Sequence, residues 1–196
     1  QVIGQAGMIG IVGWPDRGPL MFGRSTYADL TASSLFTNYL LAAILYRQRT
    51  GKGQCLDASM VESCTTLLAT QHLDYAVNGR QIVRAGNRQP DAAPHGAFPC
   101  QGEDRWCAIA VTSDAEWQGL CQVMGRPDLA RDPRFATLPA RKENEDDLEG
   151  LVGDWTRGLP AGQVMALLQG AGVPAGLVNN LREVFEEPHL RHRQNY

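Results

Sequence analysis

The chain has 196 residues, enough for one ordinary domain or two small ones and for a real buried core. Hydrophobic residues make up 43% and charged residues 20%, near the globular average, which argues against wholesale disorder. With 18 Lys plus Arg against 21 Asp plus Glu the formal net charge is -3, so the basic footprint of a binder of nucleic acid or an anionic membrane is missing.

The longest apolar run, residues 35–46, is interrupted by Thr37 and Asn38 and is too short to span a bilayer. No basic-then-apolar leader opens the chain, and its start at Gln1 without a Met points to a processed, trimmed or partial chain. The first segment, GQAGMIGIVGWPDRGP, spaces Gly4, Gly7, Gly10 and Gly13 three apart, which is neither a collagen repeat nor G-x-G-x-x-G. Its composition reads as a loop whose backbone passes close to something. A helix is predicted over 29–49, where Leu35, Phe36, Tyr39, Leu40, Ala43 and Ile44 recur as one apolar face. Asp29, Thr26 or Ser25 can cap it, and Gly51 ends it.

Residues 54–58 are a strand candidate, and Ser59 caps a second helix reaching about residue 77, closed by the turn Asn78-Gly79. The stretch 86–99 collects Gly86, Pro90, Pro94, Gly96 and Pro99 and reads as a loop and domain boundary. Beyond it a strand is expected over 106–112 and a helix over 114–124 with Ser113 as cap. Pro127 and Pro133 make the next stretch irregular; helices follow over 142–157 and 161–171, a strand over 173–178 and a last helix over 181–187. The acidic run 143–147 reads as the solvated first turn of a helix. Strands alternating with helices place the chain in the α/β class.

Few residues could do chemistry. Asp29 lies where the Gly/Pro-rich segment feeds the long apolar helix; there it could remain ionised as a nucleophile or simply cap the helix. Of the four histidines, His95 stands in the Pro/Gly loop, His72 on a helix, and His189 and His192 in a charged tail. GKG at 51–53 is no phosphate-binding loop, because the upstream glycine and the following Ser/Thr are both wrong. Five cysteines at uneven spacings offer no metal pattern and fit small buried hydrophobes with free thiols in a reducing compartment.

The motifs carry a further reading. RQRTGKGQCLDASMVES resembles the signature segment of the class III CoA-transferases, the family of formyl-CoA and carnitine CoA-transferases that also contains alpha-methylacyl-CoA racemase. QAGMIGIVG with PDRGP, ADLTASSLFTNYLLAAILYRQRTGKGQ, GNRQPDAAPHGAFPC, AEWQGLCQVMGRPDLARDPRF and AGVPAGLVNNLREVFEEPHLR are similar to further family stretches, in the family's order. The resemblance covers the middle and small-domain portion of such proteins.

It implies an interlocked homodimer, or a complementing chain, in which 1–80 is part of a Rossmann-like large domain. Residues 86–187 would form a smaller α/β domain and 188–196 the start of a return linker. It implies that Asp29 is the nucleophile passing through an aspartyl-CoA thioester, and that Pro94, His95 and Gly96 contact substrate. The substrates would be an acyl-CoA and a carboxylic acid, with coenzyme A entering as a thioester substrate. No resident cofactor or metal, no nucleic acid, no membrane and a cytoplasmic setting are expected. Two alternatives stand beside transfer: an acyl-CoA racemase or epimerase of the same fold, and an inactive fragment needing a partner segment. TASS after Asp29 is unlike the consecutive glycines of the racemases, which favours transfer.

Overall fold

In the computed structural model, which describes residues 2–20 and 27–195, the chain divides into two units, Gln1–Gly86 and Asn87–Tyr196. The first begins with helix α1 (Val2–Gln5) and a 3-10 turn at Met8–Ile11, so the opening segment is more ordered than its glycines suggested. Gly13 explains part of their use. At φ 124° it takes a conformation that an L side chain resists, and a Cβ there would lie 3.3 Å from the Leu20 amide nitrogen and 3.2 Å from the Arg84 side chain. Its carbonyl accepts from the Gly86 N–H at 2.8 Å, tying the two ends of the unit together.

Helix α2 (Tyr27–Thr50) runs for 24 residues, with Arg47 and Arg49 in its last turn and Gly51 following at φ 74°. The expected single apolar face is corrected: Leu30, Leu41 and Leu45 lie off it and are exposed, and within this chain only Ala28 of α2 is buried. The bilayer reading changes too. By length and composition alone α2 could cross a membrane, as the core helices of many soluble proteins could. Its Ser and Thr weaken that apolarity little, since Ser34 and Thr37 donate their hydroxyls to the Leu30 and Ser33 carbonyls at 2.8 Å.

Residues 54–58 form no strand, because the described part of this unit supplies none to pair with. Ser59 caps α3 (Met60–Thr66), its side chain accepting from the Glu62 N–H. The single helix expected here breaks at Leu67 and Leu68 before α4 (Ala69–Asn78) resumes. Ser63, Thr65 and Thr66 all donate their hydroxyls to carbonyls one turn back, and the Leu67 and Leu68 amides tighten onto the Cys64 and Thr65 carbonyls. Ala6, Met8, Ala28, Cys64 and Leu68 form the small core of this unit.

The second unit is built on a three-stranded antiparallel sheet of β1 (His95–Pro99), β2 (Trp106–Ala110) and β3 (Ala175–Leu177), with β2 in the middle. β1 falls in the stretch read as a loop. Its prolines are tolerated because Pro94 precedes the strand and Pro99 ends it at a sheet edge, where no ladder N–H is lost. Helix α5 (Asp114–Val123) opens with a capping box between Ser113 and Glu116, and the proline-rich stretch holds only a 3-10 turn at Leu129–Arg131.

One predicted helix becomes two, α6 (Leu138–Glu143) and α7 (Glu145–Arg157), because the Asn144 side chain donates to the Ala140 carbonyl and ends α6. The acidic run therefore straddles a helix break. Glu145 is buried against Lys142 at 2.7 Å, and Arg88 reaches Glu149 at 2.6 Å. Helices α8 (Ala161–Gly170), α9 (Leu181–Glu186) and α10 (Pro188–His192) complete an α/β fold. Trp117, Leu120, Phe135, Leu148, Val152, Val164 and Leu168 fill the core between helices and sheet.

Candidate active site

Asp29 is the third described residue of α2, so it is not the cap; Ser25 and Thr26 lie outside the described residues. Its carboxylate sits exposed in the first turn, where the partial positive charge of a helix start favours an anion. Asp29 belongs to the first unit, whereas Pro94, His95 and Gly96 belong to the second.

Pro94 stands just before β1, and His95 and Gly96 begin it. Pro94 is buried and its carbonyl accepts from the Val111 N–H at 2.9 Å; Gly96 pairs with Ile109. His95 is half-buried, opposite Ala110, with Nδ1 at hydrogen-bond distance from the Asn87 carbonyl. A carbonyl only accepts, so Nδ1 carries the proton in that contact and Nε2 is the ring's remaining polar atom. His72, His189 and His192 are all exposed on helices.

Thiol chemistry has little support. All five cysteines are unpaired and four are buried; burial pushes the Cys107 thiol up to about 11 and the Cys121 thiol up to about 12. Among the described residues no group of His, Cys, Asp and Glu could hold a metal ion.

Sequence reasoning missed two features. A hollow of about 210 Å³ lies by the first turn of α8, lined by Arg105, Trp106, Gly162 and Asn179, and its Arg105 is committed to Glu183 at 2.6 Å. The other is Arg141, fully buried beside Ala93. No local signal marks either, since each is assembled from distant segments.

The model of CoA-transferase family III matches residues 2–196. The chain belongs to that family. It is 35% identical over 195 residues to a succinyl-CoA–D-citramalate CoA-transferase of Chloroflexus aurantiacus, covering 98% of this chain and 48% of that protein. It is 28% identical over 192 residues to a succinate–glutarate CoA-transferase of Agrobacterium fabrum, covering 98% of this chain and 47% of the relative. Among solved structures, a CaiB/BaiF family protein from Brucella suis superposes with a TM-score of 0.89 at 32% identity, over 98% of this chain and 50% of that one. The family III chain described here thus spans about half the length of the relatives it matches.

Proposed function

We propose that this chain carries the nucleophile and small domain of a class III CoA-transferase moving CoA from an acyl-CoA donor to a carboxylic acid. The observation that carries this reading is membership of CoA-transferase family III across residues 2–196. The names of the relatives make short dicarboxylic acids and their CoA thioesters the first substrates to assay.

The proposed chemistry is covalent. An Asp29 carboxylate oxygen attacks the thioester carbonyl carbon, the C–S bond breaks, and CoA leaves as thiolate from a mixed anhydride. The thiolate attacks the aspartyl carbonyl and releases the donor acid, leaving an aspartyl-CoA thioester. The acceptor carboxylate then attacks that thioester, and the thiolate returns to the new acyl group, freeing Asp29. The exposed place of Asp29 in the first turn of α2 supports the role, because both ends of the cycle need a carboxylate anion.

In this reading, residues 1–80 belong to a Rossmann-like large domain, 86–187 form the small domain, and 188–196 begin the return to the large domain. Pro94, His95 and Gly96 present the substrate-facing edge. The exposed apolar surface of α2 supports covering of that helix, which in this reading comes from a homodimer partner or a complementing segment. Coenzyme A enters and leaves as substrate, and the unpaired cysteines support a reducing, cytoplasmic setting.

The test is to mix the full-length protein with a panel of acyl-CoAs, quench with hydroxylamine and map the peptides. A hydroxamate at Asp29 is expected, with turnover falling at least about a thousandfold in Asp29→Asn. No modification, together with deuterium wash-in at the substrate α-carbon, would replace transfer by racemisation.

A further inference from the structure

Arg141 lies fully buried in the second unit, a rare setting for a guanidinium. Its Nε donates to the Ala93 carbonyl at 2.9 Å, one terminal nitrogen to the Phe135 carbonyl at 3.2 Å, and the other pairs with the Asp114 carboxylate at 3.0 Å. Its guanidinium carbon stands 5.5 Å from the centre of the Trp117 ring. Three directions are therefore fixed by a planar fork that a lysine cannot reproduce.

The Ala93 carbonyl has no solvent to turn to, because Ala93 is itself fully buried. The Ala93 N–H donates to the Val111 carbonyl at 3.0 Å, and the Pro94 carbonyl accepts from the Val111 N–H at 2.9 Å. Arg141 thus supplies the remaining bond that fixes the backbone just before His95. His95 in turn must reach the Asn87 carbonyl through Nδ1, a contact that depends on where β1 begins.

We propose that Arg141 is a positioning residue for His95: by holding the Ala93 carbonyl it sets the start of β1, and with it the tautomer and direction in which His95 presents Nε2. That this edge faces the substrate acid rests on the function proposed above. The charge on Arg141 serves orientation here and not direct contact with the reacting groups.

The test uses the full-length protein labelled with 15N-histidine, as wild type and as Arg141→Lys, Arg141→Met and Asp114→Asn, with His95→Ala assigning the signals. The wild type is expected to show His95 as the single Nδ1–H form, and Arg141→Lys to show a mixture of tautomers. The KM for the acceptor acid should then rise about tenfold while kcat falls less than about threefold. That rise should disappear when Arg141→Lys is made in the His95→Ala background.

Should Arg141→Met fail to fold, Arg141→Lys and Asp114→Asn carry the same comparison, the latter removing only the charge opposite the guanidinium at its Asp114 contact. An unchanged His95 spectrum in folded Arg141→Lys would overturn the proposal. A changed spectrum with an unchanged KM would uphold the positioning role and remove the reading of this edge as substrate-facing.

Discussion

At the start of α5 two side chains satisfy each other's backbone. The Ser113 oxygen accepts from the Glu116 N–H, and the Glu116 carboxylate accepts from the Thr112 N–H at 2.6 Å, the Thr112 hydroxyl at 3.0 Å and the Ser113 N–H at 3.1 Å. Burial pushes the Glu116 carboxyl up, but those donors outweigh it and hold it below its ordinary value of 4.5. A depressed folded value means that the stabilisation is present above the unfolded value and is lost as pH falls through the folded one. Glu116→Gln should therefore flatten the acid limb of a urea-stability profile below about pH 4.5, whereas an unchanged profile would show that the box contributes nothing to it. Ser113→Ala should cost about 1 kcal/mol at neutral pH in the same melts. The Ser113 cap is legible in sequence because its partners are local. Arg141 is not: its partners at Ala93 and Asp114 lie 48 and 27 residues away, and nothing in the stretch around it says buried. Asp29 stands between these cases. Local spacing left it a cap or a nucleophile, and only the family resemblance gave it a chemical role.

Whole elements follow the same division. The helices expected over 114–124 and 161–171 were readable, α5 through its periodicity and its Ser113 cap and α8 through its periodicity, since each buries one face in the core of the second unit. β1 was not, because Gly96 and Pro99 are loop residues by composition and become a strand only when Trp106–Ala110 offers a partner. The 59–77 helix and the 142–157 helix were each split by side-chain amides or hydroxyls taking backbone partners, an effect that periodicity does not register. Helix packing also decides the sign of otherwise identical substitutions. A Cβ on Gly119 in α5 would lie 2.8 Å from the Ala171 carbonyl oxygen and 3.2 Å from Val173 Cγ2, with backbone unable to give way. Gly119→Ala should then destabilise by about 1–3 kcal/mol. Gly150 in α7 is exposed and its Cβ would meet no described atom within 4 Å, so Gly150→Ala should stabilise by about 0.5–1 kcal/mol. Thermal melts of the two variants should move in opposite directions; shifts of the same sign would contradict this account of the α5 contact.

At the scale of the molecule the controlling fact is the surface of α2. Phe36, Tyr39, Leu40, Leu41, Ile44, Leu45 and Tyr46 are each more than a third exposed, with Leu41 at 54% and Leu45 at 53%. Covering the open half of such a side chain is worth about 1 kcal/mol, so the helix withholds several kcal/mol of burial from this chain taken alone. The sequence reading placed the apolar residues of this helix on one face, because residues such as Leu30 and Leu41 fell outside the counted set. An apolar surface that runs around a helix needs more than one neighbour, which agrees with a chain spanning about half of its relatives. The 196-residue chain should therefore associate with rising concentration and bind a hydrophobic dye. The pair Leu41→Gln and Leu45→Gln should reduce both effects while leaving helicity intact, since glutamine forms helix almost as well as leucine. In the full-length protein the same pair should cost about 2–5 kcal/mol, because there it would remove buried methyl groups and insert amides without partners. Sedimentation of the short chain and melts of the long one check the two halves of the argument. A short chain that remains monomeric, with the amides of α2 protected from exchange, would show that the helix needs no covering.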